Sequence, residues 1–169
     1  MSRLFVAVWP PDGVLDAIAA LPRADESGVR WTRRDQWHVT LRFLGQAEID
    51  VAAAALDTVP WERVSPIDVD LGPAVSRLGR SVICLPASGA DGLAETVAAA
   101  TAEVGDPPDP RPFNGHLTLA RLRNRGACRL AGHRFDLSFQ ASEVTLVESR
   151  LATGGASYAV VARFRFEGP

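Results

Sequence analysis

The apolar pattern predicts an α+β protein with antiparallel sheets and helices on their outer faces, and a repeated motif suggests two pseudo-symmetric lobes. Three observations lead there. Strand-like runs cluster instead of alternating one-for-one with helices, as a parallel α/β protein would require. Two tetrapeptides, His38-Val39-Thr40-Leu41 and His116-Leu117-Thr118-Leu119, repeat one pattern about half a chain apart. The 169 residues, 47% of them hydrophobic, suffice to bury a core as one domain spanning residues 1–169, each lobe carrying one motif (38–41 and 116–119).

In chain order, Leu4 to Trp9 is rich in β-formers and is closed by Pro10 and Pro11, as expected of a buried strand. Val14, Leu15, Ile18 and Leu21 then fall on one helical face. Val29 to Thr32 makes a short strand, Arg33 to Asp35 a polar turn, and Trp37 to Leu44 the first motif strand, ended by Gly45. A helix follows over Ile49 to Val59, stopped by Pro60.

Ile67 to Leu71 alternates as a half-exposed strand does, and Gly79-Arg80 forms a hairpin turn into the strand Ser81 to Leu85. The third helix, Leu93 to Val104, is capped by Gly105. A proline-rich connection, Pro107 to Pro112, delivers the chain to the second motif strand, Gly115 to Leu122. Arg123 to His133 is irregular, with a turn around Cys128 to Ala131. Ser142 to Val147 and Tyr158 to Phe166 are alternating strands joined at Gly154-Gly155.

A net charge of −2 excludes a general nucleic-acid-coating surface, so any polyanion must meet a local basic patch. All 18 basic residues are arginine, which suits bidentate phosphate binding, although the alanine runs beside them point to a GC-rich genome as the cause. The two cysteines, Cys84 and Cys128, form no Cys-x-x-Cys and have no histidine at metal spacing, so neither a disulfide framework nor a metal site is expected. The N-terminal apolar run is too short for a signal peptide or a membrane span, and a cytoplasmic protein is expected. A monomer is expected, although the chain carries no heptad or large exposed apolar run that would decide its oligomeric state.

Chemistry concentrates in the two tetrapeptides. Side chains two apart on a strand share a face, so His and Thr are presented together while Val39 and Leu41, or Leu117 and Leu119, anchor the other side. With three histidines and eight threonines in the chain, two His-x-Thr pairs arise by chance on the order of one time in a hundred. A single strand histidine is usually a packed residue with one hydrogen bond. Two copies facing one cleft supply a general acid, a general base and two hydroxyl donors. The third histidine, His133, has no Thr two residues on and is expected on a surface loop.

The segments from His38 to Gly45 and from Arg111 to Arg121 resemble the two signature segments of the two-histidine phosphoesterases, in particular their bacterial and archaeal RNA 2′,3′-cyclic phosphodiesterase branch, historically named 2′-5′ RNA ligase. The likeness runs nearly end to end, through Arg3 to Val8, Val29 to Trp31 and Val147 to Leu151. Trp37 stands where that family often has Leu, and Gly115 where it commonly has Pro. The resemblance implies a two-lobed fold with one motif from each lobe facing a central cleft, catalytic His38, Thr40, His116 and Thr118, a phosphate-contacting Arg121, a base pocket lined by Phe43, no cofactor and no metal. It implies RNA 3′ ends or nucleotides bearing a 2′,3′-cyclic phosphate as partners, with a 2′-phosphomonoester as product.

The residues support that chemistry independently. Opening a cyclic phosphodiester needs water deprotonated on one side of phosphorus and the leaving oxygen protonated on the other, roughly in line. Two histidines serve both needs near neutral pH. His116 is assigned as base and His38 as acid, although the residue types alone leave the order open. Ligation of a cyclic end to a 5′-hydroxyl would use the same groups in reverse, and a non-catalytic RNA-end binder is the third reading. Arg33, Arg34, Arg42, Arg123, Arg125 and Arg129 flank the motifs and could form a basic rim, although most of them, one by one, read as solvated surface charges; of Trp31, Trp37, Phe43 and Phe113, which could stack on a base, the strand positions read as core and only Phe43 is taken as a stacking residue.

Overall fold

The computed structural model describes residues 1–123 and 126–169. The strands are β1 (Ser2–Val8), β2 (Val29–Trp31), β3 (Val39–Ala47), β4 (Ile67–Leu71), β5 (Ser76–Leu78), β6 (Val82–Ser88), β7 (His116–Leu122), β8 (Leu137–Ala141), β9 (Glu143–Ala152) and β10 (Gly155–Arg165). The helices are α1 (Asp12–Ala19), α2 (Ile49–Asp57) and α3 (Asp91–Ala100). All the strands pair antiparallel in one curled sheet, in the order β10-β9-β1-β3-β7-β6-β4-β8, with β2 added beside β7 and β5 beside β6.

The fold class is α+β as the sequence predicts, with β5 and β8 as additional strands. Both are short edge segments, and β8 alternates only weakly, with Phe139 and Ala141 its buried residues. The order of the sheet is mirrored about the β3–β7 seam. Each half also receives a strand from the other's chain segment: β4 follows β3 but pairs with β6, and β9 comes after β7 but pairs with β1. The two halves cannot separate without breaking the sheet.

Helical spacing explains what each helix buries. Val14 and Ile18 of α1, Ala52 and Leu56 of α2, and Leu93 and Val97 of α3 recur four residues apart and enter the core. Strand β1 is apolar on both faces for a different reason. Leu4, Val6 and Val8 join the main core, while Phe5 and Ala7 form a second small cluster with Val147, packed against Trp9 and Tyr158. That second cluster floors the cleft. Gly105 does not cap α3, which ends at Ala100; its left-handed φ of 64° lets the chain pass hard against the Leu44 carbonyl of β3.

Candidate active site

Strands β3 and β7 touch at one registered pair, Val39 opposite Leu117, and each is the residue after a motif histidine. Counting outward in antiparallel register puts His38 across from Thr118 and Thr40 across from His116, on one face. All four line a cleft of about 830 Å³.

Beyond the threonine, both strands break strict alternation in the same place. Pairing with β1 jumps from Thr40 to Arg42, and pairing with β6 jumps from Thr118 to Ala120, so Leu41 and Leu119 are each an extra, bulged residue. The Leu119 carbonyl accepts from both the N–H and the hydroxyl of Thr32, each at 2.9 Å. The bulge turns the next cleft-facing position to Phe43 on β3 and Arg121 on β7, and both line the cleft. It also turns Arg42 inward.

The two imidazoles are held alike at Nδ1. His38 Nδ1 lies 2.7 Å from the Gln36 carbonyl, and His116 Nδ1 lies 2.8 Å from the Asn114 carbonyl, in each case two residues back. A carbonyl only accepts, so each Nδ1 carries hydrogen and each Nε2 is left for the cleft. In the neutral ring, His38 Nε2 accepts from the Thr40 hydroxyl at 2.9 Å.

Their surroundings differ. His38 stacks on Phe5 with centroids 4.8 Å apart, and Trp9 and Tyr158 stand at 5.0 and 5.3 Å. This burial pushes its pKa down to about 4, against the pull of the Gln36 carbonyl, and the nearby His116 and Arg121 push the same way. Among the described residues no aromatic ring stacks on His116.

Three cationic side chains among the described residues line the cleft with the motif residues. Arg121 faces Arg30 of β2 across the β2–β7 pairing, and both line the cleft with Arg3. Arg3, Arg30, Phe5, Tyr158 and Asp106 do not belong to the motifs and arrive from other elements, which is why spacing did not point to them.

Among the described residues, the arginines that flank the motifs as rim candidates do not line the cleft. Arg42 is buried, and its guanidinium donates to Thr101 Oγ1 at 2.8 Å and to the Asp106 carbonyl at 2.7 Å. Arg34 pairs with Asp16 at 2.7 Å and lines a separate hollow, and Arg129 pairs with Glu26 at 3.5 Å. Arg33 pairs with Asp35 and donates to the Ala156 carbonyl at 3.2 Å, while Arg123 does not line the cleft. Arg125 lies outside the described residues. Trp37 is a core residue, Phe113 packs on the core, and Trp31 lines the cleft with its N–H donated to the Ala24 carbonyl at 2.9 Å. His133 is exposed and away from the cleft. Both cysteines are free and buried, and no helix among the described residues is long and apolar enough to cross a membrane.

Residues 8–71 match the family model described as LigT like Phosphoesterase. No curated protein matches the chain. Among solved structures, a Thermus thermophilus protein superposes with a TM-score of 0.83 at 27% identity, covering 98% of each chain. The Escherichia coli LigT complex with 3′-AMP superposes with a TM-score of 0.80 at 26% identity, again over 98% of each. The NADP+ complex of the same protein gives a TM-score of 0.77 at 26% identity, over 98% of this chain and 97% of the other.

Proposed function

Because the chain belongs to the two-histidine phosphoesterase superfamily, we propose that it hydrolyses RNA 2′,3′-cyclic phosphate ends, or nucleotides bearing them, to a 2′-phosphomonoester by paired-histidine acid/base catalysis. The observation that carries this reading is the seam itself, where two Nδ1-anchored histidines and two threonines face one cleft across a single registered pair. The 3′-AMP, ATP and NADP+ complexes of E. coli LigT support a nucleotide-binding cleft. On this reading residues 1–169 form one catalytic domain, each half contributing one motif.

The geometry supports His38 as acid and His116 as base. Phe43, Phe5 and Tyr158 lie on the His38 side, so a nucleoside resting there brings its ribose oxygen toward His38. His116, without aromatic walls, receives the attacking water. Water oxygen bonds to phosphorus as its proton passes to His116 Nε2; the bond from phosphorus to O3′ breaks as His38 Nε2–H protonates O3′. Arg121, Thr118 and Thr40 hold the non-bridging oxygens. Since burial keeps His38 neutral in the free protein at pH 7, its acid role requires proton uptake when the phosphate anion docks beside it. Thr40, released from Nε2, then turns its hydroxyl to the phosphate.

Both proton carriers are side chains, so the reaction as written calls for no metal. Phosphorus NMR of a 2′,3′-cyclic nucleotide incubated with the protein and EDTA tests this, with the 2′-monoester as the expected resonance. No turnover refutes the reading. With an RNA carrying a 5′-hydroxyl added, joined product in excess of hydrolysed product transfers the assignment to ligation.

A further inference from the structure

We propose that Asp106 reads the base of the terminal nucleotide and favours guanosine, a reading that rests on the nucleotide-end function above. Phe43 is 63% exposed at the cleft, an apolar ring with one open face. Two residues further along β3, Gly45 lines the same cleft as Phe43, and so does Asp106. The Asp106 carboxylate lies over Gly45, where any Cβ would collide with it. Gly45, with φ 67°, supplies both the backbone conformation and the missing side chain. A flat base resting on Phe43 therefore extends its edge over Gly45 toward this carboxylate.

The main chain of Asp106 is fixed from both sides. Its N–H donates to the Leu44 carbonyl at 2.8 Å, and its carbonyl accepts from Arg42 at 2.7 Å. Arg42 also holds the Ala98 carbonyl at 3.1 Å and Thr101 Oγ1 at 2.8 Å, so a buried guanidinium clamps the segment after α3 onto β3. Among the described residues the Asp106 carboxylate itself takes no hydrogen bond or ion pair, although Arg3, Arg30 and Arg121 line the same cleft. A carboxylate there weakens the attraction for phosphate, and a ligand edge rich in N–H groups offsets that.

Two carboxylate oxygens only accept. Guanine presents adjacent N1–H and N2–H donors, a bidentate match. Adenine and cytosine present one amino group beside a lone pair. Uracil presents one N–H between two carbonyls, which a carboxylate repels. A site built around such a match rejects the analogue lacking it.

The test is kcat/KM of the full-length protein on the four nucleoside 2′,3′-cyclic phosphates, with the same set for Asp106→Asn. The wild type is expected to favour guanosine over uridine by about 10- to 100-fold, the range of one good bidentate base contact, and Asp106→Asn to reduce that ratio to about threefold or less. Equal rates across the four bases, or a ratio unchanged in Asp106→Asn, overturn the inference and leave hydrolysis standing. A uniform loss on all four with a lowered melting temperature assigns Asp106 to the fold and also overturns it. If no cyclic nucleotide is turned over, the hydrolysis reading fails separately. The inference is then judged by calorimetric affinity for guanosine and uridine 2′-monophosphates, where equal binding overturns it.

Discussion

Strands β3 and β7 run through the same succession: a histidine and a threonine at the cleft, a bulged leucine buried in the core, and one more side chain at the cleft. On β3 that last side chain is Phe43; on β7 it is Arg121. The backbone device is shared, and the chemistry diverges only where the bulge redirects the strand. Around the histidines the same contrast holds, with His38 walled by Phe5, Trp9 and Tyr158 and His116 without stacked rings among the described residues. On the proposed function, one half would hold the nucleoside and the other the phosphate and water.

Removing either histidine tests the part the halves share. His38→Ala and His116→Ala are each expected to lower kcat by about 10²–10⁴-fold on a 2′,3′-cyclic nucleotide, and the double variant to lose little more because the two act as one unit. Multiplicative losses in the double variant, or near-full activity in either single one, would show that the rings do not work on a single phosphorus.

The divergent positions separate next. Arg121→Ala removes a charge-assisted contact and is expected to cost about 10- to 100-fold in kcat/KM, with weaker inhibition by inorganic phosphate. Phe43→Ala is expected to cost a similar or smaller factor through lost base stacking, appearing mainly in KM and leaving phosphate inhibition unchanged. Matching phosphate responses in the two variants would erase the distinction between the halves.

Proton uptake sharpens the assignment of acid and base. At pH 7, binding of a 2′,3′-cyclic nucleotide to the slow His116→Ala variant is expected to take up close to one proton, read by calorimetry in buffers of different ionisation enthalpy. His38→Ala is expected to take up none. If the wild-type His38 ring stays neutral with ligand bound, His38 becomes the base and His116 the acid.

How much of this was legible in the sequence follows from the same bulges. The His-x-Thr repeat placed four side chains on one face because alternation holds from His38 to Thr40 and from His116 to Thr118. Extending that alternation by two would put Arg42 and Ala120 in the cleft, and both are buried instead. The extra residues Leu41 and Leu119 shift the phase, yet a leucine in an apolar strand carries no local sign of being bulged. Phe43 and Arg121 were reached through resemblance to a family rather than through periodicity. Asp106 was out of reach for another reason: it enters over Gly45 from a loop whose position depends on Arg42, read from sequence as a surface charge. Gly105 was visible as a special residue, but its use, close approach to Leu44, is a tertiary fact.

The smallest expected effect concerns stability and isolates the aromatic enclosure of His38. The unfolded chain protonates this histidine at its ordinary value of 6.5, whereas the folded ring resists until about 4. Between those values the unfolded state binds more protons, so stability falls as pH drops from about 6.5 toward 4. At pH 5.5 the difference amounts to about 1 kcal/mol relative to pH 7.5. Urea unfolding of the wild type and of His38→Asn at both pH values removes the contributions common to the two proteins. The wild type is expected to lose about 1 kcal/mol more than the variant on acidification. A parallel loss in the two proteins would mean that Phe5, Trp9 and Tyr158 do not seal the ring from water, and the asymmetry between the halves would then rest on Phe43 and Arg121 alone.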